Sequence, residues 1–193
     1  MKVTVINHVT LDGVMQGPGR PDEDTRDGFE HGGWAVPYSD EAMGRAMGER
    51  MAGTAGLLLG RRTYEDFAGF WPKQEDNPYT RMLNGTRKYV VSSTLAEPLP
   101  WQNSTLLGGD VVAAVRELRE RPGGDLVILG SGALIRSLLP HGLIDELTLM
   151  INPLVLGSGR RLFEGGGAPA PMRLVDSTAT PAGVLIATYV PVR

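Results

Sequence analysis

The sequence predicts an α/β fold: a mostly parallel sheet with helices on its faces and antiparallel strands at its C-terminal edge. Three observations point there. Short apolar strand-like runs alternate with helical stretches through the first two-thirds of the chain. Strand signals alone fill the end, and two of them form a candidate hairpin. Alternation of that kind is the mark of parallel strands joined by helices, whereas consecutive strands pair antiparallel. No linker-like tract divides the apolar segments, so residues 1–193 are expected to form one domain.

The elements follow in order. Lys2 to Val9 places Val3, Val5 and Val9 among polar residues and reads as a strand. A loop rich in Gly, Pro and Asp runs from Leu11 to about Gly33, a length usually kept for function. Ser39 is a good N-cap for a helix over Asp40 to Met51, whose Met43, Met47 and Met51 recur at helical spacing and read as core filler. Gly56 to Leu59 is a short apolar strand, Arg61 to Phe70 a helix directly after Gly60, and Asn77 to Leu83 another short helix. Strands follow at Arg87 to Ser93 and Ser104 to Leu107. Asp110 caps a helix bearing Val111, Val115 and Leu118, stopped by Pro122-Gly123-Gly124. Asp125 to Leu129 is a buried strand, and Gly130-Ser131-Gly132 opens a helix bearing Leu134, Leu138 and Leu139. Leu143 to Ile151 is a strand with Leu147, Leu149 and Ile151 on one face. Met172 to Thr178 and Val184 to Val190 form the closing hairpin.

Composition removes several functions. The 193 residues include no cysteine, so disulfides, thiolate metal sites and a cysteine nucleophile are impossible. The three histidines, His8, His31 and His141, are not spaced as a metal pair, and no metal is expected. A formal charge of −3 argues against a nucleic-acid binder. No stretch approaches the ~18 apolar residues of a membrane span, and the N-terminus lacks a signal core, so a cytoplasmic location is expected.

Three strand-ends share one design. Leu57–Leu59 ends at Gly60-Arg61-Arg62-Thr63, Tyr89–Val91 at Ser92-Ser93, and Val127–Leu129 at Gly130-Ser131-Gly132-Ala133. Ligands of open α/β sheets bind beyond the carboxyl ends of the strands. Glycine lets a phosphate approach the backbone, helix starts offer free N–H groups, and Arg61 and Arg62 add guanidiniums. Each segment alone also fits an ordinary turn, and Ile135 stands where a dinucleotide fingerprint needs its third glycine. Together they suit an anion larger than one phosphate.

The strings LLLGRRTYEDF, KYVVSST, VILGSGALIRSLL and IDELTLMINPLVLGSGRRLF, with HVTLDGVM near the start, resemble the dihydrofolate reductase-like superfamily. The closer resemblance is to the reductase domain of riboflavin biosynthesis and its stand-alone relatives. It covers nearly the whole chain and implies a three-layer fold on a mixed sheet of about eight strands. It further implies NADPH as cofactor and a small heterocyclic substrate of pteridine, pyrimidine or flavin-precursor type. By the same resemblance, Gly60, Arg61, Arg62 and Thr63 would line the cofactor phosphates, with Arg61 nearest the 2′-phosphate. Ser92 and Ser93 would flank the adenine-ribose end. Gly130, Ser131, Gly132, Ala133 and Leu134 would take the pyrophosphate. Leu154 to Gly159, with Leu156 and Gly157 as substrate candidates, would lie beside the nicotinamide-substrate region or support it, and the chain would pair as a homodimer.

The chain departs from relatives in places. Asp40 is the nearest candidate for the carboxylate that grips the pterin in folate reductases, though it also fits a helix-start acid. Leu149 and Met150 lie where those enzymes place a pterin-contacting threonine nearby, and Ala133 replaces a basic residue of some relatives. Asp12 either orients substrate and supplies a proton or serves only as an Asp-Gly turn acid. Trp34 either stacks on a heterocycle or is a buried aromatic. Asp22-Glu23-Asp24 and His31 read as solvated loop, and Glu65 and Asp66 as helix-start or surface acids. A nucleotide-binding or sensor protein without turnover is the competing reading, and a protein that keeps only the fold is a third.

Overall fold

A computed structural model describes residues 1–164 and 167–192. Its eight strands are β1 (Val3–Thr10), β2 (Thr54–Gly60), β3 (Arg87–Val91), β4 (Ser104–Leu107), β5 (Asp125–Leu129), β6 (Glu146–Asn152), β7 (Met172–Ala179) and β8 (Leu185–Pro191). Five α-helices accompany them: α1 (Glu41–Met51), α2 (Arg61–Phe70), α3 (Pro78–Gly85), α4 (Val111–Glu120) and α5 (Gly132–Leu138). The strands make one sheet in the order β4-β3-β2-β5-β1-β6-β8-β7. Pairing is parallel from β4 across to β6 and antiparallel for β6–β8 and β8–β7.

The apolar runs are continuous because both faces of the central strands are covered. Val3, Val5 and Val9 of β1 enter one core with Val115 and Leu118 of α4 and Leu134, Ile135 and Leu138 of α5. Ile6 enters the other, with Met43 and Met51 of α1, Tyr64 of α2 and Leu83 of α3. In β2, Leu58 faces the first core while Leu57 and Leu59 face the second. The result is the three-layer arrangement the sequence predicts, with β1 and β5 at its centre.

Boundaries differ where side chains outcompete the ladder. Helix α1 is capped by Asp40, not Ser39: Asp40 is extended and its Oδ1 accepts from the Met43 amide at 2.8 Å. Ser39 instead closes a 3₁₀ turn over Val36–Tyr38. Strand β3 stops at Val91 because the Ser92 hydroxyl turns back to accept from the Thr94 and Leu95 amides. Strand β6 starts at Glu146; Leu143 and Ile144 are buried in the first core before pairing begins.

The long N-terminal loop is built, not loose. Val14, Phe29, Trp34 and Ala35 form a small core of their own against Leu154 and Leu156. Gln16 is its hub. The Gln16 amide donates to the Asp24 and Arg26 carbonyls, and its Oε1 accepts from the Arg160 amide at 2.9 Å. The Trp34 indole N–H donates to the Gln16 carbonyl at 2.6 Å.

Candidate active site

The carboxyl ends of β1, β2, β3 and β5 open on a cavity of about 930 Å³, covered by the loop around Met15 to Arg26. Parallel pairing puts these four strand-ends at one edge, so residues distant in sequence meet there. Side chains then staple the turns together. The Gly60 amide donates to Ser131 Oγ at 3.0 Å, and the Ser131 amide donates to Thr63 Oγ1 at 3.0 Å. Asn7 on β1 donates from Nδ2 to the Gly130 carbonyl at 3.0 Å. Gly130 and Ser131 both hold positive φ, 58° and 52°. This left-handed pair makes the sharp turn that carries the chain from β5 into α5. Gly132 is needed for closeness, since a Cβ there would collide with the Met15 thioether.

Residues 60–63 and 130–134 therefore line one cavity. Arg61 and Arg62 line it, as do Arg136, Arg160 and Arg161. Arg61 is held by Glu65 at 3.0 Å on the same helix. Arg62 makes no ion pair among the described residues.

Other sequence candidates are placed elsewhere. Val91 lines the cavity, but Ser92 and Ser93 do not, the Ser92 hydroxyl being occupied by its own turn. Asp40 is off the cavity: Oδ1 caps α1 and Oδ2 accepts from the Ala182 amide at 2.9 Å. Asp12 is also off it and fully engaged. Its Oδ1 accepts from the Thr10 hydroxyl at 2.6 Å and the Leu156 amide at 3.2 Å. Its Oδ2 accepts from the Gly157 amide at 3.0 Å and from Arg161 at 3.2 Å. The Thr10 bond above all, against an opposing desolvation cost, pulls the Asp12 pKa down to about 2. An acid so firmly ionised is a poor proton donor; it ties residues 156, 157 and 161 to the end of β1. Leu156 and Gly157 are partners of that tie and lie outside the lining. Trp34 is buried in the loop core with its N–H satisfied, also outside the lining.

The structure brings in residues that the sequence reading treated as surface. Asp22, Glu23 and Asp24 line the cavity, as does Asp66. Asp66 pairs with Arg20, which lies 4.1 Å over the Phe70 ring, fastening the loop to α2. Burial raises the Asp66 carboxyl above its ordinary pKa despite Arg20, and its Oδ2 is buried without a partner. Burial likewise raises Glu23, whose Oε2 accepts from the Gly19 and Arg20 amides. Phe67, Trp71 and Tyr79 supply an aromatic wall, and Trp71 keeps a buried N–H without a partner. His8, on β1, lines the same space. The signal for His8 was visible: it is the one titratable residue within the central strand β1. The signal for Asp66 was not, because an acid six residues into a helix is ordinary.

The sheet order and its flanking helices are those of the dihydrofolate reductase-like fold. The chain aligns over 98% of its length with a dihydrofolate reductase from Enterococcus faecalis complexed with NADP(H), at TM-score 0.58 and 14% identity, covering 96% of that chain. Within that class, residues 1–186 match the RibD C-terminal domain family, and the chain belongs to it. A pyrimidine reductase-like protein from Corynebacterium diphtheriae superposes over the whole chain at TM-score 0.68 and 12% identity, covering 92% of that protein. A Shewanella sp. PV-4 protein provisionally assigned to riboflavin biosynthesis does so at TM-score 0.71 and 23% identity, each chain fully covered. YyaP of Bacillus subtilis (strain 168), an uncharacterized protein, is 29% identical over 138 residues, 69% of this chain and 72% of that one. No helix among the described residues is long and apolar enough to cross a membrane.

Proposed function

We propose that this protein is an NADPH-dependent reductase of a small heterocycle of pteridine, pyrimidine or flavin-precursor type. One observation carries the reading: the Gly60–Thr63 and Gly130–Leu134 turns, stapled through Ser131, face a single cavity lined by Arg61 and Arg62. The residues suit the cofactor. The start of α5 at Gly132–Leu134 would take the diphosphate, and the Arg61 and Arg62 guanidiniums a further phosphate. The cavity lies toward the top of the ~300–1,000 Å³ range of small-molecule sites. Bound there, the reduced nicotinamide supplies hydride.

The chain's own work is then orientation and exclusion of water, with a proton source at hand. Asp66 and Glu23 fit that last role better than Asp12 or Asp40. Both line the cavity, and burial favours their protonated forms. The aromatic wall of Phe67, Trp71 and Tyr79 suits a flat ring. A homodimer, cytoplasmic in location, belongs to the same reading; Leu174, Val175 and Leu185 at the β7–β8 edge are half exposed and apolar.

The test is a thermal-shift titration with NADPH and NADH, followed by NADPH oxidation over a panel of pteridines and pyrimidinediones. Stabilisation by NADPH with oxidation on at least one heterocycle is expected. Binding without any oxidation would favour the sensor reading, and no binding would refute both.

A further inference from the structure

Asn152, at the end of β6, is fully buried beside β1. Its Nδ2 donates to the Met150 carbonyl at 2.9 Å and to the Val9 carbonyl at 3.3 Å. Two carbonyls on one side fix which end of the amide is nitrogen. That same nitrogen lies 3.4 Å from His8 Nδ1. Both amide hydrogens serve the carbonyls and an amide nitrogen accepts nothing, so a proton on Nδ1 would find no acceptor there, which favours the ring proton on Nε2. His8 has no other partner among the described residues, and it lines the cavity. Burial holds the ring pKa down at about 4, so the imidazole is neutral at any ordinary pH. Ile6, two residues before His8 and on the same face of β1, belongs to the core against which Met47 and Phe67 pack. A fixed N–H in apolar surroundings is a selective probe for an acceptor atom, because a ligand lacking one would leave the donor unpaired.

We propose that His8, oriented by Asn152, is a specificity-determining residue that donates from Nε2 to a carbonyl oxygen or imine nitrogen of the bound heterocycle. This rests on the reductase reading and narrows its substrate class to rings presenting an acceptor at that point. Ring carbonyls are preferred over amino groups in the same position, since an amino group would set donor against donor. Asn152 acts through His8 and is a positioning residue.

Two measurements test this. Nitrogen NMR of the free protein reads the tautomer directly. Proton on Nε2, with Asn152→Leu mixing the tautomers, is expected; proton on Nδ1 overturns the proposal. The second uses intrinsic pteridine fluorescence at saturating NADP⁺, comparing lumazine, a pteridine dione, with its diamino analogue. Wild type should prefer lumazine. His8→Leu should bind lumazine about tenfold more weakly and lose the preference, and His8→Gln, which keeps an N–H, should restore part of it. NADP⁺ affinity should stay unchanged in both variants, which also shows that they fold. Equal lumazine affinity in wild type and His8→Leu, or NADP⁺ binding without lumazine binding, overturns the proposal and leaves the cofactor assignment standing. Failure of wild type to bind NADP⁺ would instead sink the reductase reading beneath it.

Discussion

Ser131 joins the two cofactor-facing turns, so removing its hydroxyl tests how far the site is preassembled. Ser131→Ala deletes the acceptor of the Gly60 amide and the donor to the Leu129 carbonyl at 3.1 Å. A buried amide left without a partner costs ~1–3 kcal/mol. Gly60 is half buried, so water recovers part of that, and a loss of about 1.5 kcal/mol is expected. For a chain of this size that lowers Tm by roughly 3–6 °C. NADPH affinity should fall about three- to tenfold, because the turn must be reordered on binding. Urea unfolding, thermal melts and NADPH titration measure these, with Ser177→Ala on the exposed β7 as control. Combining Ser131→Ala with Thr63→Val, which strips the partner of the Ser131 amide, should show coupling of about 0.5 kcal/mol or more. Strict additivity with unchanged NADPH affinity would refute the claim that these contacts hold one site together.

Three more outcomes follow from the same contacts. Arg61→Ala and Arg62→Ala should each weaken NADPH by about fivefold, ~1 kcal/mol after screening of exposed guanidiniums, and leave NADH affinity nearly unchanged; equal losses for both cofactors would contradict a 2′-phosphate role. Asp12 has a folded pKa of about 2, below its ordinary 3.8, so its contribution is complete above 3.8 and is lost as pH falls toward 2; Asp12→Asn should flatten acid unfolding across that window in urea midpoints measured against pH. Lys88, fully buried with Nζ donating to the Asn84 and Gln102 carbonyls, is lowered by desolvation from 10.5 to about 8. Between those values the unfolded chain holds the extra proton, so stability should rise with pH by up to about 3 kcal/mol, and Lys88→Met should abolish the rise.

Much of the fold was legible because local signals agreed with tertiary ones. Arg61–Phe70, Ser104–Leu107 and Asp125–Leu129 fall where turn residues and apolar runs place them. Alternation alone implied the parallel sheet and its antiparallel edge. Legibility failed where a side chain made a contact that sequence spacing does not encode. Ser39 is as good a cap by type as Asp40, but only Asp40 reaches the Met43 amide. Ser92 looked like a ligand hydroxyl, yet its acceptor capacity is spent on Thr94 and Leu95. The acids of the long loop looked solvated because nothing local reveals that Arg20 and Asp66, far apart in sequence, close it over the cavity. Asp12 and Trp34 were singled out for their position beside the site, which is sound; their polar atoms are engaged in holding loops. His8 needed the β1–β6 register, which puts Met150 opposite it and Asn152 opposite Thr10, before its tautomer had meaning.

The most direct test of the account is backbone amide NMR of the protein titrated with NADPH. Amides of residues 60–63 and 130–134 are predicted to shift together at one affinity, with the Arg61 and Arg62 side chains responding to NADPH and not to NADH. Saturable binding that moves only one of those turns, or neither, would contradict it.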